Sequence, residues 1–467
     1  MLTYDLERRG GLARYDYLYR CIKEDILSGR LTAGEKLPSK RALARHLETA
    51  VVTVENAYAQ LLAEGYLRSE EKRGYFVCPV EVRPDRPPAE ATQLRQTAPR
   101  RRWLLDLSSG GSGTEGFPFS VWARLMRRVI TEEGERLLPS MPHSGALPLR
   151  QALARHIYQF RGIAADPEQI VVGAGTEYLY NLLVQLLGRD RVYGVEDPGY
   201  SKAGRVYALN GAKCVYLPVD GQGVDPVRAE ESGADILHLS PNHQFPTGAV
   251  MPIARRQSLL RWAGEAPGRY LIEDDYDSEF RFTGRPIPTL RSIDRADRVI
   301  YMNTFSRSLA PSLRIGYMVL PRPLLGEYQD KLGFYSCTVP AMEQYTLARF
   351  LEEGHFDAHV NRMRVFYRAR RDAVLRAIEE SPLAGRCRAM GENAGLHFLL
   401  ELDTKLPDET LARRAEGRGL RLAFLSDYQH TLAAARPHTL VVNYPGTDLE
   451  HLAQALDILT EILDQHP

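Results

Sequence analysis

The chain has 467 residues, 44% hydrophobic and 25% charged, enough for two or three cores and too ordinary for a disordered, fibrous or disulfide-rich protein. Its formal net charge of +1 decides nothing about nucleic acid, so any such case must rest on local clusters. Five scattered cysteines without C-x-x-C spacing and a start, MLTYDLERRG, without an apolar core predict a cytoplasmic protein with no disulfide framework or zinc site.

No run approaches the roughly 18 apolar residues of a membrane span. The first elements read as helices. Tyr15, Leu18, Tyr19, Ile22 and Ile26 recur at helical spacing. LPSKRALARHL predicts a second helix with Ser39 as its N-cap. Val51, Val54, Tyr58, Leu61 and Leu62 mark a third, ending near Gly65. YLRSEEKRGYFVCPV then reads as two short strands around a charged turn, Glu70 to Gly74.

Three helices and a hairpin make a winged helix-turn-helix, which places one helix in the major groove and holds phosphates with flanking basic groups. Residues 1–80 carry 13 Lys and Arg against 11 Asp and Glu, a net of +2, so cluster position carries this argument. The candidate DNA contacts are Ser39, Lys40 and Arg41 at a helix start, Thr53 on the third helix, and Lys72 and Arg73 on the wing. Gly74 is expected to let the wing backbone approach the duplex. A helical interaction module without DNA affinity is the alternative.

Pro79 to Arg102 is rich in Pro and Arg and reads as an extended linker. Its Arg100–Arg102 run is read first as a solvated stretch and second as an extra phosphate contact. The predicted domains are therefore 1–78, a linker 79–102, and 103–467. In the last, QIVVGA, RVYGVE, DILHLS, RYLIED, DRVIYM and LRIGYMVL are strand candidates separated by helices such as TEYLYNLLVQLL and ARRQSLLRWAG. This alternation predicts an α/β domain with a mostly parallel sheet. From about Pro321, long Arg-rich helices precede strands GLHFLLEL and TLVVNY, which predicts a smaller α+β subdomain over 321–467.

Ligands of open α/β sheets sit beyond the carboxyl ends of strands. Five motifs belong there: VVGAGTEYLYNLL with Thr176 at a helix start, EDPGY with Tyr200, SPNHQFPTG, LIEDDYDSEFRF with Asp274 and Tyr276, and YMNTFSRSLAPSLRIGYM with Ser306, Arg307 and Arg314. A helix start favours a phosphate, although one glycine turn alone is weak evidence.

Residues 12–78 resemble a GntR-type winged helix. That family enters its recognition helix with a glycine turn and a Ser-Arg pair. Here the positions read Glu48-Thr49-Ala50-Val51, so the usual recognition arginine is Val51, which cannot pair with guanine. The ordered motifs FPFSVWARLMRR, HSGALPLRQALARHI, EDPGY, HQFPTG, EDDYDSEFR, the Ser306–Arg314 loop and the stretch Ala394 to His397 resemble a fold-type-I aminotransferase domain. Together the two parts resemble the MocR/GabR class of transcriptional regulators over nearly the whole chain.

The resemblance implies a homodimer on a double-stranded operator and a site for pyridoxal 5'-phosphate. Asp274 would pair with the pyridine nitrogen and Tyr276 with the phenolic oxygen. Ser306, Arg314 and Thr176 would hold the phosphate, and Tyr200 would line the pocket. Arg307 stands where the family carries its Schiff-base lysine, and a guanidinium keeps its proton and is a poor nucleophile. No catalytic residue is therefore assigned. Three readings stay open: non-covalent cofactor with Arg307 as an added cationic contact, another small anionic effector read by Arg307, or Arg307 folded onto Asp274 as an ion pair that closes the site. Rescue by Lys202 is a further possibility, and Arg436 lies near where relatives hold a substrate carboxylate. A regulator is the main reading, an amino-acid aminotransferase the alternative, and a dimer core that senses nothing a third.

Overall fold

The computed structural model describes residues 2–81, 103–108, 116–282, 287–392, 395–431 and 436–464. The expected linker lies outside them beyond residue 81, as do Arg100–Arg102 and Ala394. The chain divides into two compact units, Met1–Arg101 and Arg102–Pro467.

In the first unit, helices α1 (Arg14–Leu27), α2 (Lys40–His46) and α3 (Val51–Ala63) enclose Leu18, Ile22, Leu43, Val54, Tyr58 and Leu61. Strands β2 (Leu67–Glu70) and β3 (Gly74–Val77) pair antiparallel as expected, and β1 (Lys36–Leu37), which is too short to leave a pattern, adds to the other edge of β3. Two positions differ from the helical reading. Tyr15 is 40% exposed and Val51 43% exposed, because each lies one turn before the buried stripe of its helix. Spacing identifies a stripe but not where burial begins along it.

The second unit is built on an eight-stranded sheet. Its strands are β5 (Ile170–Gly173), β6 (Val192–Asp197), β7 (Lys213–Asp220), β8 (Gly223–Val224), β9 (Ile236–Leu239), β10 (Tyr270–Asp274), β11 (Val299–Thr304) and β12 (Gly316–Val319), in the order β5-β12-β11-β10-β9-β6-β7-β8. The run from β11 to β7 is parallel, while β12 lies antiparallel between β11 and β5. β7 was not anticipated: its apolar run, Cys214–Leu217, is short, and only Leu217 of the strand is buried. Helices α4 (Phe119–Glu133), α5 (Leu147–Arg161), α6 (Thr176–Leu187) and α7 (Ser201–Leu209) follow the chain order.

A smaller sheet joins β13 (Cys387–Met390), β14 (His397–Leu402) and β16 (Thr439–Asn443). Its core also takes Leu105 and Leu107, because β4 (Leu105–Asp106) pairs with β15 (Leu420–Arg421). The stretch after Pro321 first packs on the large sheet: Tyr328 and Leu332 join Met318, and Leu347 and Phe350 join Val172. The helix His355–Glu379 then crosses over, burying Phe356 and Val360 with the large sheet and Met363, Tyr367 and Val374 with the small one.

Candidate functional site

Strands β5, β6, β9, β10 and β11 point the same way, and their carboxyl ends open on one cavity. Thr176, Tyr200, Asp274, Tyr276, Ser306, Arg307 and Arg314 all line it. Glu177, Tyr180, Glu196, Lys202 and His238 line it too, and of these only Lys202 was weighed from sequence.

The acidic side is set by strand alternation. Successive side chains of a strand face opposite ways, so Asp274 enters the cavity while Glu273 and Asp275 enter a buried network behind it. There, Arg161 Nε lies 2.8 Å from Asp275 Oδ2, and Tyr301 donates to the same oxygen at 2.8 Å. Glu273 accepts from the backbone N–H groups of Leu290 and Arg291 at 2.8 and 3.0 Å. These bonds pin the strand end that carries Asp274.

Asp274 Oδ2 accepts from Tyr180 at 2.7 Å and lies 3.5 Å from His238 Nε2, whose ring is met by Tyr207 at 2.7 Å. Burial pushes the Tyr180 hydroxyl well up, so it remains a donor. Asp274 Oδ1 is buried and has no hydrogen-bond partner among the described residues. Glu196 is alike: Oε2 accepts from Ser240 N at 3.2 Å and Gln244 Nε2 at 3.3 Å, and Oε1 is unpartnered. Burial pushes the Glu196 carboxyl up to about 8. Tyr276 Oη lies 3.1 Å from His243 Nδ1, which is 2.8 Å from Asp277 Oδ2.

The cationic side gathers around the start of α6. Gly175 precedes it with φ +86°, and a Cβ there would sit 2.7 Å from the Arg314 guanidinium, so glycine is what admits that side chain. Arg314 Nη2 donates to Glu177 Oε2 at 2.9 Å, and Lys202 Nζ donates to Glu177 Oε1 at 2.7 Å. The Lys202 hydrogen bond, with Arg314 nearby, holds the Glu177 carboxyl below its ordinary range. Thr304 Oγ1 donates to Ser306 Oγ at 2.9 Å. Arg307 is half-buried and has no hydrogen bond or ion pair with any described residue. The expected alternative in which it folds onto Asp274 is therefore not what forms.

The candidate nucleic-acid contacts in the first unit are partly committed elsewhere. Ser39 Oγ accepts from Ala42 N at 3.2 Å, which caps α2. Lys40 Nζ lies 2.6 Å from Glu55 Oε1 and over the Tyr75 ring, tying α2 to α3. Arg73 Nη1 lies 2.5 Å from Glu70 Oε2. Arg41 and Lys72 are exposed and have no partner among the described residues. Thr53 is half-buried in the first turn of α3, beside Val52, which is 58% exposed. Gly74 has φ +113°, so the wing's own turn requires a glycine whatever approaches it.

Residues 14–77 match the family described as bacterial regulatory proteins, gntR family, and residues 104–457 match aminotransferase class I and II. The chain is 39% identical to the uncharacterized HTH-type transcriptional regulator YdeL of Bacillus subtilis, over 92% of this chain and 93% of that one. It is 32% identical to the probable rhizopine catabolism regulatory protein MocR of Rhizobium meliloti, over 97% and 94%. Among solved structures, LysN, an alpha-aminoadipate aminotransferase of Thermus thermophilus, superposes with a TM-score of 0.66 at 27% identity, covering 77% of this chain and 92% of that one.

Proposed function

The chain belongs to the MocR-type helix-turn-helix transcriptional regulators, a GntR-family head joined to an aminotransferase class I and II domain, and from that premise we propose that it binds double-stranded operator DNA as a cytoplasmic homodimer and senses pyridoxal 5'-phosphate held without a covalent link. The observation that carries the ligand reading is the buried, unpartnered Asp274 Oδ1. A carboxylate oxygen removed from water without a donor is costly, and a protonated ring nitrogen is a donor of matching charge. Tyr180 and the strand behind Asp274 hold the carboxylate ready for it.

On this reading Tyr276 bonds the phenolic oxygen, and Thr176, Ser306 and Arg314, which line the same cavity, hold the phosphate at the start of α6. When bound, the cofactor supplies an electron-withdrawing ring. Among the described residues that line the cavity, none supplies a free amine for the aldehyde. The Arg307 guanidinium does not lose its proton, and it stands at the place of the family's lysine. Lys202 reaches the cavity, but its bond to Glu177 raises its pKa and keeps it an ammonium. We therefore read the second unit as a sensor and not a transaminase.

The test is a titration of the native chain and Arg307→Lys with pyridoxal phosphate, each then treated with borohydride and weighed by mass spectrometry. Saturable binding by both proteins, with covalent retention in the lysine variant alone, is the expected result. No binding by either would assign the cavity to another anion. Covalent retention by the native chain would return a lysine to the site and revive the aminotransferase reading.

A further inference from the structure

Charge pairing in the cavity is unequal. Three cationic side chains line it, Lys202, Arg307 and Arg314. Glu177 engages two of them, one with each carboxylate oxygen. Arg307 is left without an ion pair among the described residues. Arg307 nevertheless lines the cavity, together with Tyr200 and Tyr276.

Resting on the pyridine-phosphate reading, we propose that Arg307 selects the ligand by its 4-substituent, accepting an acid or aldehyde oxygen there and rejecting a primary amine. The assignment rests on the place of Arg307, which stands where the family carries the lysine that bonds the 4-aldehyde. On that reading Asp274 takes the nitrogen, Tyr276 the 3-oxygen and Ser306 with Arg314 the 5-phosphate, and Arg307, lining the same cavity, meets the 4-substituent. A guanidinium has five donors and no acceptor. A carboxylate takes two parallel hydrogen bonds from it and an aldehyde takes one. An ammonium takes none and adds a like charge. A lysine at this position could neutralise by losing its proton, whereas arginine cannot, so the selection is permanent across the physiological range. The cavity then reads the charge and acceptor capacity of the 4-substituent, separating the aldehyde and acid forms of the vitamer phosphate from the aminated one.

The experiment is calorimetric titration of the full chain with pyridoxamine 5'-phosphate, pyridoxal 5'-phosphate and 4-pyridoxic acid 5'-phosphate, repeated with Arg307→Gln. The native protein is expected to bind the acid about tenfold or more tighter than the amine, with the aldehyde between. Arg307→Gln is expected to bind all three within a few-fold, with the melting temperature reporting that it is folded. If that variant does not fold, the native order of the three ligands decides alone. Equal binding of amine and acid by the native chain, or an unchanged preference in Arg307→Gln, overturns the selection while leaving the pyridine-phosphate site standing. Binding of none of the three overturns the site and the selection together.

Discussion

Glu196 receives two hydrogen bonds on one oxygen and none on the other, and burial outweighs them, pushing its carboxyl to about 8. The folded protein therefore holds a proton that the unfolded chain releases near its ordinary value of 4.5. Stability falls as pH rises between those two values and levels off above them, with a limiting slope of about 1.4 kcal/mol per pH unit. Glu279, also pushed up to about 8 by burial, adds a second decline of the same sign. Glu196→Gln keeps the shape and has no proton to lose. Its melting temperature is expected to fall less than the native protein's between about pH 5 and pH 8. Parallel profiles would show that Glu196 ionises normally. Nothing in EDPGY announced this behaviour, because a raised carboxyl depends on what covers it and not on its neighbours in the chain.

The wing shows what a single element can carry. β2 and β3 meet through a turn in which Lys72 has φ +61° and Gly74 φ +113°. Alanine at Gly74 would put a Cβ into that strained region and within 3.3 Å of Lys36 Cε, at a cost of about 1–2 kcal/mol. Gly74→Ala is therefore expected to speed amide exchange at Phe76 and Val77, with exchange in β10 and β11 unchanged. Unaltered exchange on the wing would mean that the turn adapts freely. The hairpin itself was legible in sequence, as two short strands around a charged turn. Periodicity alone put Val51 in the buried stripe, because a helical period does not show where burial starts, whereas its place at the family's recognition arginine implied the exposure it has.

At the scale of the molecule, a net charge of +1 gives DNA binding no general electrostatic support, so the interface depends on a few side chains. Lys40 and Arg73 already have carboxylate partners, while Arg41 and Lys72 do not among the described residues. Arg41→Ala is expected to weaken operator binding evenly across sequences and to lower the slope of log K against log salt by about one. A gel-shift series over salt in which the slope does not change would remove Arg41 from the interface.

The sequence by itself determined the order of the two units, the motifs at the strand ends and that Arg307 cannot act as an amine nucleophile, since whether a side chain can lose a proton is a property of the residue. It also predicted that Thr176, Asp274, Tyr276, Ser306, Arg307 and Arg314 would gather in one place, because strand ends of a parallel sheet share an edge. Only the tertiary structure decided the pairing within that place. Glu177 reaches Lys202 from 25 residues away and Arg314 from 137, and β4 joins a lobe whose partner strand, β15, lies more than 300 residues later. Local pattern fixes period and chemistry, but ion pairing and burial depend on distances across space, which the fold alone sets.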